Sequence, residues 1–563
     1  MLLGFLNSMP PNSRQKKISD YLCISVKRTF ISAKKFPFHP YLFIAYPILY
    51  LYANNISEIE ISHIIRPSFI SFILVSISLL ILRALLTDSG KSTLIITVGI
   101  ILFFSYGHIY QLTGTLEIFG EPIGRHRYLL PLAFAIFSVW SWWVFKQKRD
   151  KLSIHRFFNL VGIILLLIPI AIIGKSFLGR RAAEELGAPS PQITVVGKSD
   201  EKRPDVYYIV LDGYGRQDVL QDLYNLDNST FLKSLESQGF YIVDEGYSNY
   251  MQTLLSLASS LNMDYLSGYD GWETRTRNDL DVFRGLIRHS EARKVFNALG
   301  YRLVAFETGY SATNIPDADV YLSVEDALPA GGRFVVSINE FEDILLNSSL
   351  AVTLRALQTK TRIFDTLLIE DPFSRHRERI RYILSTLGEI PTWEGEYFII
   401  AHIISPHPPF VFDEVGAPVN PEGHFTLADG SNYSGGRDDY IQQYRHQLIY
   451  LNSLLKETVN QILASSEPDP IIILQADHGP GAYLETNSMV DSNLTERLAI
   501  FHAYYLPIAQ QDALYPSITP VNSFRLILNE YFEFSYPLLE DKSYFATWRR
   551  PFLFADITDV LFE

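Results

Sequence analysis

The sequence predicts an N-terminal bundle of membrane-spanning helices followed by an α/β domain with a largely parallel sheet. Three observations carry this expectation. Before about residue 176 the apolar residues come in long uncharged runs. After about residue 204 they come in short runs bounded by polar turns. Carboxylates and imidazoles stand just past several of those short runs, as in "IIILQADHGPGAY" over 471–483. With 563 residues the chain has room for both units. Its net charge of −13 is the wrong sign for a surface that neutralises nucleic-acid phosphates, so nucleic acid is not an expected partner.

Five runs approach the ~20 apolar residues that a bilayer crossing needs, at 39–56, 67–86, 92–112, 128–146 and 157–175. The first is the weakest, being short and rich in Tyr and Pro. Basic residues set the orientation. Arg14, Lys16, Lys17, Lys27, Arg28, Lys34 and Lys35 precede the first run. Lys146, Lys148, Arg149, Lys151 and Arg156 lie between the fourth and fifth, and Arg83 and Lys91 flank the second connection. With the N-terminus inside, all three groups are cytoplasmic, and five crossings place the rest of the chain outside. Arg180 and Arg181 oppose this only mildly. "MLLGFL" is too short for the apolar core of a cleavable signal, and a basic segment follows it. The expected organisation is a cytoplasmic tail and five-span bundle over 1–176, a linker over 177–203 broken by Gly187, Pro189 and Pro191, and an extracytoplasmic domain over 204–563. The single cysteine, Cys23, falls in the tail, so the outer domain has neither a disulfide nor a thiol nucleophile.

In the outer domain, "DVYYIVLDGYG", "YRLVAFETGY", "EYFIIAHIISPH" and "PIIILQADHG" read as strands covered on both faces. Between them lie amphipathic stretches such as 440–463, with apolar residues at helical spacing. That alternation is an α/β pattern. Asp212, His407, Asp477 and His478 all stand at or beyond strand carboxyl ends, the edge at which open α/β sheets bind ligands. An Asp-His-Gly triplet alone is as well explained by a surface turn. Together, the two aspartates and His478 form an oxygen and nitrogen donor set suited to one divalent ion, Zn²⁺ or Mn²⁺.

The candidate nucleophile is Thr253, at the head of "TLLSLASSLN". A hydroxyl at a helix start sees unpaired N–H groups and the positive end of the dipole, which suit a phosphate. The plainer role for Thr253 is that of a helix cap. Ser256, one turn further on, is the rival hydroxyl.

The ordered set of Asp212, Thr253, His407 in "SPHPPF" and Asp477-His478-Gly479 resembles the alkaline phosphatase superfamily. With five spans in front, it is similar to the superfamily's membrane phosphotransferases, the lipoteichoic acid synthases and lipid A phosphoethanolamine transferases. "TLLSLA" is similar to their Thr-x-x-Ser-Leu segment, and "HPPF" to their His-x-Pro-aromatic segment. The resemblance covers about 204–510 plus the membrane topology. It implies an alkaline-phosphatase-like α/β sandwich, a metal held by Asp212, Thr253, Asp477 and His478, a Thr253 nucleophile, and contact of His407 with the substrate phosphate. It implies transfer of a phospho-headgroup from a membrane phospholipid donor to a glycan or lipid acceptor hydroxyl through a phospho-threonine. A membrane-anchored phosphodiesterase or phosphatase, and a silent scaffold that keeps the fold, are the alternatives.

The chain also departs from the family. No second histidine follows soon after Asp-His-Gly. His502 lies in a strand and reads as a core histidine; His402, inside an apolar strand, reads equally as structural or functional. The arginine-rich "SRHRERIRYIL" (374–384) reads as a solvated helix face, with a grip on an anionic headgroup as the alternative. Neither a Cys/Ser-x-Pro-x-Arg segment nor an Asp-x-x-x-His segment occurs after residue 204. The first absence disfavours formylglycine sulfatase chemistry, and the second favours one metal over two. The run 341–357 reads as an apolar helical surface, either packed in the domain or resting on the bilayer.

Overall fold

The computed structural model describes residues 37–56, 59, 61–113, 117–118, 121–122, 124–147, 152–184, 202–269, 271–272, 275–324, 338–353, 372–421, 425–507 and 513–562. The tail up to residue 36, most of the expected linker (185–201) and the end of the 341–357 run lie outside the described residues. The chain divides into two compact units: Met1–Asn55, Ile61–Ile173 and Ile344–Asp365 form one, and Ile56–Glu60, Gly174–Asp343 and Thr366–Glu563 form the other.

The first unit contains helices α1 (His39–Asn54), α2 (Ser62–Leu86), α3 (Ser89–Thr113), α4 (His126–Lys146) and most of α5 (Leu152–Glu184). Large apolar side chains point outward: Leu74 is 59% exposed, Leu80 66% and Phe134 73%. Helices apolar on all sides fit a lipid surround. Among the described residues four helices are long and apolar enough to cross a membrane: Ser62–Leu86, Ser89–Thr113, His126–Lys146 and Leu152–Phe177. The expectation of five such spans is corrected here. The 16 residues of α1 give about 24 Å of helix, short of a ~30 Å hydrocarbon core. Its end has a local cause. Asn54 and Asn55 turn their side-chain amides back onto the carbonyls of Tyr50 and Leu51, both at 2.8 Å.

The 341–357 run is divided between the two units. From Ile344 it belongs to the same unit as the membrane-capable helices. The backbone N–H of Leu350 donates to the carbonyl of Phe103 in α3 at 2.7 Å. One turn on, Gly107 makes room for the crossing: a Cβ there would lie 2.3 Å from the carbonyl carbon of Ser348. No local pattern in 341–357 reveals this, because the groove it enters is made by another part of the chain.

The second unit is built on a seven-stranded sheet. Its strands are β1 (Val206–Leu211), β2 (Tyr241–Ile242), β3 (Arg302–Phe306), β4 (Val320–Leu322), β5 (Tyr397–Ile403), β6 (Ile471–Gln475) and β7 (His502–Tyr505), in the order β2-β7-β6-β1-β5-β3-β4. The run β6-β1-β5-β3-β4 is parallel, and β7 lies antiparallel to both its neighbours. β1 is buried along its whole length. Its alternation feeds two cores. Tyr207, Ile209 and Leu211 pack with Ile380, Leu384, Leu448 and Leu455. Val206, Tyr208 and Val210 pack with Leu254, Leu257, Phe524 and Ile527. Helices therefore cover both faces, which is why the strands read as unbroken apolar runs.

One helix assignment changes character. Pro372–Glu389 carries the arginine-rich stretch, but Arg377 and Arg379 are buried, not solvated. Arg379 and Arg375 meet Glu307 at 3.1 and 3.4 Å. Gly309, at φ +84°, leaves the space: a Cβ there would stand 2.0 Å from the Arg379 guanidinium.

Candidate metal centre

The parallel register places the site. Val210 of β1 pairs with His402 of β5 and with Gln475 of β6, so these central strands end level. Asp212 follows β1, and Asp477 and His478 lie just beyond β6. Their ligand-capable atoms all fall within 4.8 Å of one another, and all three residues are buried. His478 Nε2 is 3.5 Å from Asp212 Oδ1 and 3.4 Å from Asp477 Oδ2. Asp212 is steadied from behind, its Oδ2 lying 3.2 Å from His402 Nε2, while His402 Nδ1 is 3.0 Å from Thr313 Oγ1. Asp477 Oδ1 accepts from the Gly213 N–H at 3.2 Å. Gly479 has no room for a side chain, since a Cβ would sit 2.0 Å from the carbonyl oxygen of Glu496.

Thr253 is the first residue of helix α6 (Thr253–Asn262), whose remaining residues are buried. Its Oγ1 lies 3.2 Å from His478 Nε2. Ser256 goes elsewhere: its hydroxyl is 3.3 Å from that of Ser248, which also donates to the carbonyl of Asp477. Thr253 Oγ1 therefore stands beside the Asp212–Asp477–His478 cluster, while the Ser256 hydroxyl is engaged with Ser248.

The donor chemistry fits a divalent ion. Asp212 Oδ1 and Asp477 Oδ2 are buried and accept no hydrogen bond, a costly state for carboxylate oxygens unless a cation satisfies them. His478 Nδ1 lies 2.9 Å from the carbonyl of Gly479, so it carries the hydrogen and Nε2 keeps its lone pair toward the carboxylates. Burial first, and then the Arg497 guanidinium, hold the His478 pKa below the usual imidazole range, which keeps it a neutral ligand. Burial opposes ionisation of Asp212, but His407, His402 and His478 outweigh it and hold its carboxyl well below the usual range.

His407 lies one step further out. Its Nδ1 donates to the carbonyl of Pro408, and its Nε2 faces Asp429 Oδ2 at 3.7 Å. Burial works against its cation, yet Asp212 and then Asp429 raise its pKa. His502 is a core histidine, wholly buried, with burial lowering its pKa to about 3.

Two residues of the site escaped the sequence reading. Asp429 and Arg497 form a buried ion pair at 2.6 Å, and Arg497 Nη2 lies 3.0 Å from His478 Nε2. Burial opposes the Asp429 anion, but Arg497 and His407 bring its pKa down to about 2. The one available signal was an arginine beside the apolar run "LAIFHAYY"; Asp429, in a polar loop, offered none.

No family model matches the chain, and no curated protein matches it. Among solved structures, it is similar to the C-terminal periplasmic domain of EcEptC from Escherichia coli in complex with Zn, with 10% identity over 65% of this chain and 95% of that one and a TM-score of 0.39. The integral membrane protein lipooligosaccharide phosphoethanolamine transferase A from Neisseria meningitidis is similar over 88% of this chain and 94% of that one, with 11% identity and a TM-score of 0.36. A protein in the alkaline phosphatase superfamily from Vibrio parahaemolyticus matches over 63% and 74%, with 12% identity and a TM-score of 0.34.

Proposed function

We propose that the chain is a membrane-bound, metal-dependent phosphotransferase that moves a phospho-headgroup from a lipid donor to an acceptor hydroxyl. The observation that carries the reading is the position of Thr253 Oγ1, at a helix N-terminus and 3.2 Å from His478 Nε2 within the Asp212–Asp477–His478 cluster. On this reading Asp212, Asp477, His478 and Thr253 hold one Zn²⁺ or Mn²⁺, which would supply Lewis acidity to the threonine hydroxyl and the phosphoryl oxygens.

Thr253 Oγ forms a bond to phosphorus and sheds its proton to solvent, from which His407 is later reprotonated; the bond from phosphorus to the lipid's glycerol oxygen breaks, and that oxygen leaves with a proton. His407, with its raised pKa, is the donor of that proton. An acceptor hydroxyl then attacks the phospho-threonine, forms its own O–P bond, and its proton restores the Thr253 hydroxyl. The N-terminus of α6 favours the phosphate's charge throughout.

The membrane unit supplies the lipid. Five basic residues, Lys146, Lys148, Arg149, Lys151 and Arg156, mark the α4–α5 connection as cytoplasmic. The single crossing by α5 then puts the site on the extracytoplasmic side, whether or not α1 crosses. That supports a lipid of the outer-facing leaflet as donor and a glycan or lipid of the cell envelope as acceptor.

The test is to incubate full-length protein, loaded with Zn²⁺, with labelled phosphatidylethanolamine and phosphatidylglycerol vesicles. Diacylglycerol release with the headgroup on an added acceptor supports transfer. Release with free phospho-headgroup supports the hydrolase reading. Lipid binding without diacylglycerol release makes the chain a scaffold.

A further inference from the structure

We propose that Arg497 is the residue that takes the anionic oxygen of the substrate phosphate beside Thr253, and that metal binding at His478 frees it to do so. This rests on the phosphotransfer reading above.

Arg497 is among the most deeply buried large side chains, at 1% exposure. A buried arginine needs its charge and N–H groups met. Three hydrogen bonds fix its plane: Nε donates to the Met251 carbonyl at 2.9 Å, and Nη1 to Asp429 Oδ2 at 2.6 Å and to the Gly479 carbonyl at 3.1 Å. The indole of Trp548 lies 5.7 Å from the guanidinium carbon. Held at Nε and Nη1, the side chain has little freedom to swing. Its Nη2 is directed to the metal cluster, where it meets His478 Nε2 at 3.0 Å.

That contact carries the inference. With Nδ1 of His478 bonded to the Gly479 carbonyl, Nε2 offers one lone pair. One lone pair cannot serve both a cation and an Nη2–H. When the ion takes it, Nη2 keeps its place and loses its acceptor. A guanidinium N–H unmet in a buried site is costly, and a phosphate oxygen meets it with a charge-assisted bond. Thr253 Oγ1 is on the same nitrogen at 3.2 Å, so the nucleophile and Nη2 both border His478 Nε2. A structural ion pair would need only Nη1 and Asp429.

The chemistry recognised is a phosphate ester with a free anionic oxygen, in a lipid headgroup or in a soluble diester. The experiment uses full-length protein in detergent, as wild type, Arg497→Lys and the double variant Arg497→Gln/Asp429→Asn, which removes both buried charges together. Zn²⁺ affinity is read by chelator competition, and inorganic phosphate affinity of the Zn²⁺-loaded protein by calorimetry. The double variant should bind Zn²⁺ at least as tightly as wild type, since no guanidinium N–H competes for the His478 Nε2 lone pair. Its phosphate affinity should fall about 10- to 100-fold, with a smaller loss in Arg497→Lys. Turnover of phosphatidylethanolamine vesicles and of bis(p-nitrophenyl) phosphate should fall by a similar factor. Phosphate affinity within about twofold of wild type overturns the assignment, as does joint loss of Zn²⁺ and phosphate binding or slowing confined to vesicles. Wild-type protein that binds no Zn²⁺ overturns the phosphotransfer reading itself; wild type that binds Zn²⁺ and phosphorylates Thr253, beside a variant with unchanged phosphate affinity, overturns only the role of Arg497.

Discussion

Thr253 Oγ1 and His478 Nε2 are 3.2 Å apart although 225 residues separate them in the chain. The sheet produces this meeting. β6 delivers His478 to the carboxyl edge, and the start of α6 brings the hydroxyl to the same point. A hydroxyl beside a ligand-capable nitrogen, with two unmet carboxylate oxygens near the same nitrogen, is the arrangement a metal-activated nucleophile requires.

Thr253→Ala should lower turnover by about 10³-fold or more while leaving the melting temperature near that of wild type, because only a half-buried hydroxyl and methyl are lost. Ser256→Ala should retain activity within a few-fold, since its hydroxyl bonds to Ser248, away from the cluster. The reverse pattern would move the nucleophile to Ser256.

Asp477→Asn should strip the metal. It replaces a carboxylate oxygen that accepts no hydrogen bond with a poorer donor, and keeps an acceptor for the Gly213 N–H. Elemental analysis should find the ion lost from the variant and retained by wild type. Full metal content in Asp477→Asn would remove this residue from the ligand set.

The parts of this site that were legible in the sequence share a cause. A strand buried on both faces is a continuous apolar run, so its end is visible, and Asp212, His407, Asp477 and His478 stand just past such ends. Thr253 was visible because a polar stretch gives way there to a helical apolar pattern. Asp429 and Arg497 were not, because their pairing spans 68 residues and leaves no local periodicity. Arg377 and Arg379 misled for the opposite reason: a run of arginines advertises charge, while burial depended on Glu307 and on the space left by Gly309. The length of α1 turned on two asparagines that fold back onto its last turn.

Glu496 gives a pH-dependent stability. Burial chiefly, and Asp429 in addition, raise its folded pKa to about 8 from 4.5, against the lowering contacts from Tyr224 and the Tyr483 N–H. A raised carboxyl contributes stability that is fully present below the unfolded pKa and is lost as pH rises through the folded value. Glu496→Gln removes that dependence. Its melting temperature should therefore rise relative to wild type between about pH 4.5 and 8. A constant difference across that range would mean that Glu496 is ionised in the folded protein.

Topology can be read through the single cysteine. In intact cells a membrane-impermeant maleimide should label Cys23, because four crossings with the α4–α5 connection inside leave the tail on the outer side. The variant Lys456→Cys, on the exposed side of the Arg437–Ser465 helix, should be labelled under the same conditions in a Cys23→Ser background. Protection of Cys23 from the reagent would make α1 a fifth crossing. Protection of the Lys456→Cys variant from the reagent would invert the assigned orientation.

The most direct test of the central claim is the covalent intermediate. Full-length protein loaded with Zn²⁺ is mixed with phosphatidylethanolamine vesicles without acceptor, quenched in acid, digested and sequenced by mass spectrometry. The account predicts a phospho-headgroup on Thr253, absent after metal removal and absent in Thr253→Ala. Diacylglycerol release at the wild-type rate with no modified threonine, or with Thr253→Ala still active, would contradict it.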